Sequence, residues 1–215
     1  MQTITLINTR HQSLGACNSD ILLDIFEIIK PQVIFQELPP SHINKSHGGL
    51  ESIAIFRYKI MNKIAHVLVD SENIPNDQFF NGLEKMHAMF NTLDSENGEL
   101  YRKLIDDNKL NIYNYGLEYL NSKQTEDYNL KLDNIIHNCI LELGKIEYST
   151  LYKKWIDIHK HREEIMIQNI YNYSSENTFS QGIFLIGSGH RNSIIMKIKN
   201  YHKKSNHKIN WIFDP

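Results

Sequence analysis

The sequence predicts an α/β fold, with a mostly parallel mixed sheet and flanking helices, on two observations. A strand, a helix and a second strand follow one another within the first 37 residues, and a βαβ unit of this kind implies parallel pairing with a right-handed crossover. Two further strand patterns close the chain after a long stretch of helical character. The sheet is therefore expected to be interrupted by a helical insertion before its last two strands.

The first strand is predicted over residues 3–9 (TITLINT), which are rich in β-branched side chains. A helix with apolar residues at helical spacing follows it and ends at Pro31. The second strand, over 33–37, is too short and too β-branched to be a helix, and two prolines close it. These three elements form the predicted βαβ unit.

The rest of the chain continues the pattern of helices and strands. Residues 76–172 are predicted to form the insertion, because amphipathic stretches follow one another there without a convincing strand. The helices predicted within this stretch cover 79–93, 99–120, 127–143 and 149–173. The other predicted elements are helices over 51–63 and 192–202 and strands over 65–70, 183–186 and 208–214. We therefore expect a single α/β domain over residues 1–215, with 76–172 as a helical subdomain within it.

Composition and charge narrow the classes of function. The formal net charge is −2, with 41% apolar and 22% charged residues, as in ordinary globular proteins. This balance argues against a nucleic-acid or membrane-surface partner. No apolar run approaches the roughly 18 residues of a membrane span, and the N-terminus lacks the pattern of a signal peptide. The two cysteines are far apart and fit a reduced compartment, so a cytoplasmic location is expected.

Polar side chains follow four of the predicted strands at the point where each strand ends. In chain order these are Arg10 with His11, then Glu37, then Asp70, and finally Ser188 to Arg191. The carboxyl ends of parallel strands meet at one edge of a sheet, where ligands of open α/β sheets bind. Two histidines and two carboxylates meeting there could bind a divalent metal or act as general acid and base.

Each of these residues also has a purely structural interpretation. A single histidine at a strand end, such as His11, is more often structural or merely exposed. Glu37 is expected to be partly buried and to need a partner, which Arg10 or Arg191 could supply without any chemistry. Asp70 could cap the following turn. The coincidence of these groups at one topological position favours a working site.

The stretch QGIFLIGSGHRNS, residues 181–193, allows two further interpretations. Its glycines match the first two of a GxGxxG dinucleotide motif, and Asp214 lies where a ribose-binding acid is expected. Asn192, however, stands in place of the third glycine, and no further strand pattern follows to complete a nucleotide-binding half. The same glycines also fit a tight turn without function.

The stretch HKHREEIMIQNI, residues 159–170, holds a second dense cluster. Four residues share one helical face by their spacing: His159, Arg162, Glu163 and Met166. Arg162 is expected to point over the strand ends and hold an anionic group, although the pattern also fits a solvated charged face. Cys17, near a predicted helix N-terminus, is a further candidate as a thiol nucleophile.

The residues at both ends of the chain resemble the TraB/PrgY, GumN and Tiki superfamily, which also includes erythromycin-esterase-like and ChaN-like haem-binding proteins. That group pairs two Gly-x-x-His motifs with a carboxylate after the second strand and an arginine on a late helix. Here the second motif is Gly187-Ser188-Gly189-His190, whereas the first, Asn8-Thr9-Arg10-His11, lacks the glycine. The other matching positions are Glu37, Glu51, Asp70 and the Arg162-Glu163 pair. The resemblance implies a mixed α/β fold with the histidines and Glu37 facing one cleft, and metal-dependent hydrolysis in some members.

Together the residues and the resemblance predict a metal-assisted hydrolase of peptide or ester bonds. His11, Glu37 and His190 are predicted as catalytic groups and as ligands of Zn²⁺ or Mn²⁺, and Arg162 as a catalytic residue that binds an oxyanion or a substrate carboxylate. The predicted substrate-binding residues are Arg10, Glu51, Asp70, Glu163, Gly187, Ser188, Gly189 and Arg191.

The expected partner is a small-molecule or peptide substrate, without nucleic acid or membrane. The residues are also compatible with a protein that binds a small anionic or haem-like ligand without turnover. A third hypothesis is a nucleotide-binding protein. The sequence leaves the substrate and the oligomeric state open.

Overall fold

The computed structural model describes residues 1–42 and 48–214. Its strands are β1 (Thr3–Thr9), β2 (Val33–Gln36), β3 (Ala65–Leu68), β4 (Gln181–Gly187) and β5 (Asn210–Ile212). They form one five-stranded sheet in the order β3-β2-β4-β1-β5, and every neighbouring pair is parallel. The predicted α/β class is confirmed, and the sheet is parallel throughout rather than mixed.

The helices in the described residues lie close to the predicted ranges. They are α1 (Ser19–Ile29), α2 (Leu50–Met61), α3 (Asp77–Asn91), α4 (Glu96–Leu120), α5 (Lys123–Leu143), α6 (Ile146–Glu176) and α7 (Arg191–Lys204). The helical stretch expected before the last two strands is confirmed as α3 to α6. Most of the helices begin at a side-chain cap, as in α5, where the Ser122 hydroxyl accepts a hydrogen bond from the Gln124 N–H.

Helices cover both faces of the sheet, which explains why its strands are continuous apolar runs. On one face Phe35 and Phe184 pack with Ile170 of α6 and Ile194 of α7. On the other face the side chains of alternate strand residues pack against Phe26 of α1, Ala54 of α2 and the end of α4. The period of two along each strand thus divides the core into two layers.

The insertion has a hydrophobic cluster of its own. Helices α3, α4 and α5 and the first half of α6 enclose it around Met86, Phe90, Tyr101 and Cys139. Helix α6 is 31 residues long, and its second half packs on the sheet. One helix therefore joins the insertion to the sheet and carries residues 159–163 towards the strand ends.

A kink in α4 anchors the loop that follows β1. Gly116 has φ 54° and ψ −130° within that helix, and a Cβ atom there would lie 2.3 Å from the Ala16 carbonyl oxygen. The Ala16 N–H donates to the Tyr113 carbonyl at 2.8 Å, and a Cβ atom on Gly15 would meet that same oxygen at 2.3 Å. Two glycines thus let the backbones cross closely, only a few residues after His11.

Among the described residues, no helix combines the length and the hydropathy that a membrane crossing requires.

Candidate functional site

The carboxyl ends of four strands lie together at one edge of the sheet. Thr9 pairs with Gly187 in the β1–β4 register, and Gln36 pairs with both Leu185 and Leu68. The polar groups that the sequence placed at strand ends lie one to four residues beyond the last residues of these strands. Parallel pairing therefore brings residues far apart in the sequence to one side of the molecule.

Glu37 is the centre of a buried charged network. Its side chain is 7% exposed and receives three contacts from three different elements. Oε1 lies 2.7 Å from Nη2 of Arg162 and 3.2 Å from Nε2 of His190. Oε2 accepts the Gly187 N–H at 2.7 Å. A Cβ atom on Gly187 would lie 3.4 Å from this oxygen, an ordinary van der Waals distance.

Two further carboxylates complete the network. Asp70 accepts a two-pronged contact from Arg162, with Nε at 3.1 Å from Oδ1 and Nη2 at 2.7 Å from Oδ2. Glu163 faces Nδ1 of His190 at 2.7 Å, and its second oxygen accepts from the Ser193 hydroxyl and lies 3.2 Å from Nζ of Lys197. Arg162 and Glu163 of α6 therefore both point towards the strand ends, as the predicted helical face requires.

The network fixes the charges of its members. Burial opposes ionisation of Glu37, but the attraction of His190 and Arg162 outweighs it, and the pKa of this carboxyl lies well below its usual range. Burial by itself would lower the pKa of His190, whereas the Glu37 and Glu163 carboxylates on either side raise it to about 9. His190 is therefore an imidazolium at neutral pH, and Glu37 is a carboxylate.

A cleft of about 480 Å³ opens next to this network. The described residues that line it are His11, Gln12, Gln36, Glu37, Leu38, Gly48, Gly49, Glu51 and Ser52. Two carboxylates and one imidazole thus share the cleft. The His11 side chain is 71% exposed, whereas that of Glu51 is 8% exposed.

His11 and Glu51 form a pair inside the cleft. Nδ1 of His11 lies 3.8 Å from Oε1 of Glu51, and the Thr9 hydroxyl donates to the same oxygen at 2.5 Å. The Leu50 N–H, at the start of α2, donates to the His11 carbonyl at 3.1 Å. A Cβ atom on Gly49 would lie 2.7 Å from that carbonyl oxygen. The backbone around His11 is therefore held in place while its ring stays open to solvent.

The carboxylates change the basicity of His11. The neighbouring Glu51 carboxylate raises the pKa of the imidazole from its ordinary 6.5, and Glu37 adds to this effect. Partial burial and the positive charge of Arg162 oppose it. An exposed imidazole whose protonated form is stabilised by fixed carboxylates can accept a proton from water or from a substrate.

The three predicted metal ligands do not form a metal site as they lie. Each ring nitrogen of His190 faces a carboxylate oxygen, Nε2 that of Glu37 and Nδ1 that of Glu163. Glu37 is already held by Arg162. In the described ranges 1–42 and 48–214, no group of three or more His, Cys, Asp or Glu could hold a metal ion. The Zn²⁺ or Mn²⁺ site stays a prediction.

Two arginines that were predicted to bind substrate lie outside the lining of the cleft. Arg191 is fully buried, and its guanidinium donates to Glu126, Asn8 and Asp214, each at 3.0 Å, and to the Phe213 carbonyl. Arg10 is partly exposed beyond β1. Arg191 therefore fixes the C-terminal segment to α5 and β1, and the partner of Glu37 is Arg162 rather than either of these arginines.

The glycine-rich turn after β4 has structural contacts that account for much of its sequence. Ser188–His190 form one 3₁₀ turn, and the Ser188 carbonyl accepts a hydrogen bond from Asn129 at 2.9 Å. A Cβ atom on Gly189 would meet nothing within 4 Å, so no close approach requires this glycine. Asp214, the predicted ribose-binding acid, is paired with Arg191. Nothing in this geometry favours a nucleotide-binding role.

The geometry also gives little support to a thiol nucleophile or a haem-like ligand. Cys17 is fully buried, and burial raises the pKa of its thiol to about 11, which disfavours the nucleophilic thiolate. A haem-like ligand has broad apolar faces, whereas Leu38 is the one aliphatic side chain among the described residues that line the cleft.

Arg162 also borders a second groove on its outer side. This groove measures about 460 Å³ and is lined in part by Lys153, Lys154 and His161 of α6. The lysines are exposed, and the guanidinium donates to Glu37 and Asp70. The predicted anionic partner of Arg162 is thus supplied by carboxylates of the chain itself.

Two contributors to the site were not identified from the sequence. Thr9 holds Glu51, and Gln36 lines the cleft. His159, which belongs to the predicted helical face, stacks its ring on that of His190 with the centroids 4.4 Å apart. Thr9 and Gln36 directly precede the polar positions that were selected, so their place at the strand ends was the available signal. The chain matches no family model, no curated protein and no solved structure.

Proposed function

We propose that the cleft is the active site of a hydrolase that cleaves carboxylic ester or amide bonds by general acid–base catalysis. His11 is the base in this proposal. The observation that carries it is the exposed His11 imidazole beside the buried Glu51 carboxylate, in a cleft that also contains Glu37. The similarity to the TraB, GumN and Tiki group remains part of the proposal.

The reaction follows from this arrangement in two steps. His11 takes a proton from a water molecule as the water oxygen bonds to the carbonyl carbon, and a tetrahedral intermediate forms. The bond from carbon to the leaving oxygen or nitrogen then breaks, and the imidazolium returns the proton to the leaving group. The products are a carboxylic acid and an alcohol or an amine.

The two carboxylates support the base without taking part in the proton transfer. Glu51 lies beside Nδ1 of His11 and stabilises the imidazolium that forms in the first step. Glu37 raises the pKa of His11 through space, and because its own pKa is strongly lowered, it does not act as a proton donor at neutral pH. Arg162 and His190 act as positioning residues, since they hold Glu37 in its charged form.

The proposal is tested with p-nitrophenyl acetate and an N-acetyl peptide p-nitroanilide as substrates. The wild-type protein is expected to hydrolyse at least one of them, and His11→Gln is expected to lose about 100-fold or more of that rate. His137→Gln removes an exposed histidine of α5 and serves as the matched control, with an unchanged rate. Equal rates for wild type and His11→Gln would overturn the proposal.

A further inference from the structure

Gln36, the last residue of β2, lines the cleft and takes no part in the proposed proton transfers. It is 4% exposed, yet it lines the same cavity as His11 and Glu51. Its Oε1 atom lies 2.9 Å from Nε2 of His66 on β3. No described residue accepts a hydrogen bond from Nε2 of Gln36. This nitrogen is also not one of the fully buried polar atoms that lack a partner. The NH₂ group of Gln36 therefore reaches the cleft.

The orientation of the Gln36 amide follows from the charges around it. Burial lowers the pKa of His66 to about 4, so this imidazole is neutral and carries a single N–H. With that N–H on Nε2, His66 donates to the amide oxygen of Gln36, and the NH₂ group faces the cleft. The reverse orientation would place the amide oxygen in the cleft that the Glu37 and Glu51 carboxylates also line, which is electrostatically unfavourable.

The first turn of α2 adds backbone donors to the same cavity. Gly49 provides no side-chain cap for this 12-residue helix. The Leu50 N–H donates to the His11 carbonyl, and the Ile53 N–H donates to the Gly49 carbonyl. Between them, Glu51 and Ser52 line the cavity, and the Ser52 N–H has no backbone acceptor among the described residues. The N-terminus of a helix favours negative charge at this position.

We propose that Gln36 and the first turn of α2 form the subsite for the carbonyl oxygen of an uncharged ester or amide substrate. This inference rests on the proposed hydrolase and names its substrate class. Donors aimed at a carbonyl oxygen stabilise the negative charge that develops on it during attack. A permanently anionic phosphoester does not suit the cleft, because the side-chain carboxylates of Glu37 and Glu51 line it as well.

A binding measurement tests the subsite without any turnover. The probe is p-nitroacetophenone, a ketone with the same ring and carbonyl as p-nitrophenyl acetate but no bond that water can cleave. Its addition to the isotope-labelled wild-type protein is expected to shift the side-chain NH₂ resonances of Gln36, assigned through the backbone. Phenyl phosphate is expected to leave them unchanged. An unshifted Gln36 resonance at saturating ketone, or a shift with phenyl phosphate instead, would overturn the inference.

A kinetic measurement separates this inference from the proposed reaction. Gln36→Leu replaces the amide with an apolar side chain of similar size and so removes the donor. It is expected to lower kcat about 100-fold with little change in KM. If the wild type hydrolyses the ester through His11 while Gln36→Leu keeps the wild-type kcat, the subsite is wrong and the hydrolase stands. If the wild type does not hydrolyse the ester but the Gln36 resonances shift with the ketone, the hydrolase is wrong and the subsite stands as a binding site.

Discussion

A buried imidazolium should make the stability of this protein depend on pH in the alkaline range. His190 lies between Glu37 and Glu163, at 3.2 Å and 2.7 Å, with a side chain that is 5% exposed. These carboxylates raise its pKa from 6.5 to about 9 against the effect of burial. In the unfolded chain the same imidazole titrates near its ordinary value of about 6.5.

The sign and size of the effect follow from this difference. Because the pKa of His190 is higher in the folded state, its contribution to stability is complete below the unfolded value of 6.5 and is lost as the pH rises through about 9. One unit of difference corresponds to about 1.4 kcal/mol. The free energy of unfolding is therefore expected to fall by about 3 kcal/mol between pH values of about 6.5 and 9.5.

Urea unfolding at a series of pH values, followed by circular dichroism, measures this dependence. His190→Gln should flatten the curve in this window, whereas His137→Gln on the exposed face of α5 should keep the wild-type shape. If His190→Gln does not fold, NMR titration of the wild-type ring gives the folded pKa directly. A wild-type free energy of unfolding that stays constant across the window would refute the reasoning.

Three further outcomes are expected. Arg162→Met leaves the buried Glu37 and Asp70 without their cation and should lower the free energy of unfolding in urea by about 3–5 kcal/mol. Arg57→Met breaks an exposed pair with Asp20 and should lower it by about 1 kcal/mol or less. Equal losses of stability in the two variants would contradict the account. Glu51→Gln should lower the pKa of His11 in an NMR titration, because the carboxylate that raises it is removed, and an unchanged or higher pKa would be inconsistent with the pairing. Gly116→Ala should destabilise the protein clearly more than Gly144→Ala in thermal unfolding. Both glycines have positive φ, but of the two only Gly116 would bring a Cβ atom against the backbone. A smaller loss of stability for Gly116→Ala would contradict the close backbone contact between α4 and the loop after β1.

The fold could largely be predicted because its signals are local. The strands predicted over 3–9, 33–37 and 183–186 correspond to β1, β2 and β4 of the structure, and one βαβ unit is enough to imply parallel pairing. Helix starts were less accurate. The stretch predicted to begin near residue 127 starts at Lys123, where Ser122 provides the cap. That cap was visible in the sequence, whereas the central position of β4 depends on packing between distant segments.

The sequence could predict where the polar side chains of the candidate site gather, but not which of them form ion pairs. Parallel topology alone brings Glu37, Asp70 and His190 to one edge of the sheet. The sequence could not show that Arg162 rather than Arg10 or Arg191 meets Glu37, because the position of α6 over the sheet depends on the packing of the whole insertion. For the same reason, the sequence did not show that Glu37 and Glu163 enclose His190.

The most direct test of the proposed mechanism compares two pKa values for one residue. The pH dependence of kcat/KM for p-nitrophenyl acetate should rise along a limb whose midpoint lies above 6.5 and equals the pKa of His11 measured by NMR in the free protein. His11→Gln should lose this limb. A limb that persists in His11→Gln, or a midpoint that differs clearly from the measured pKa of His11, would contradict the assignment of His11 as the base.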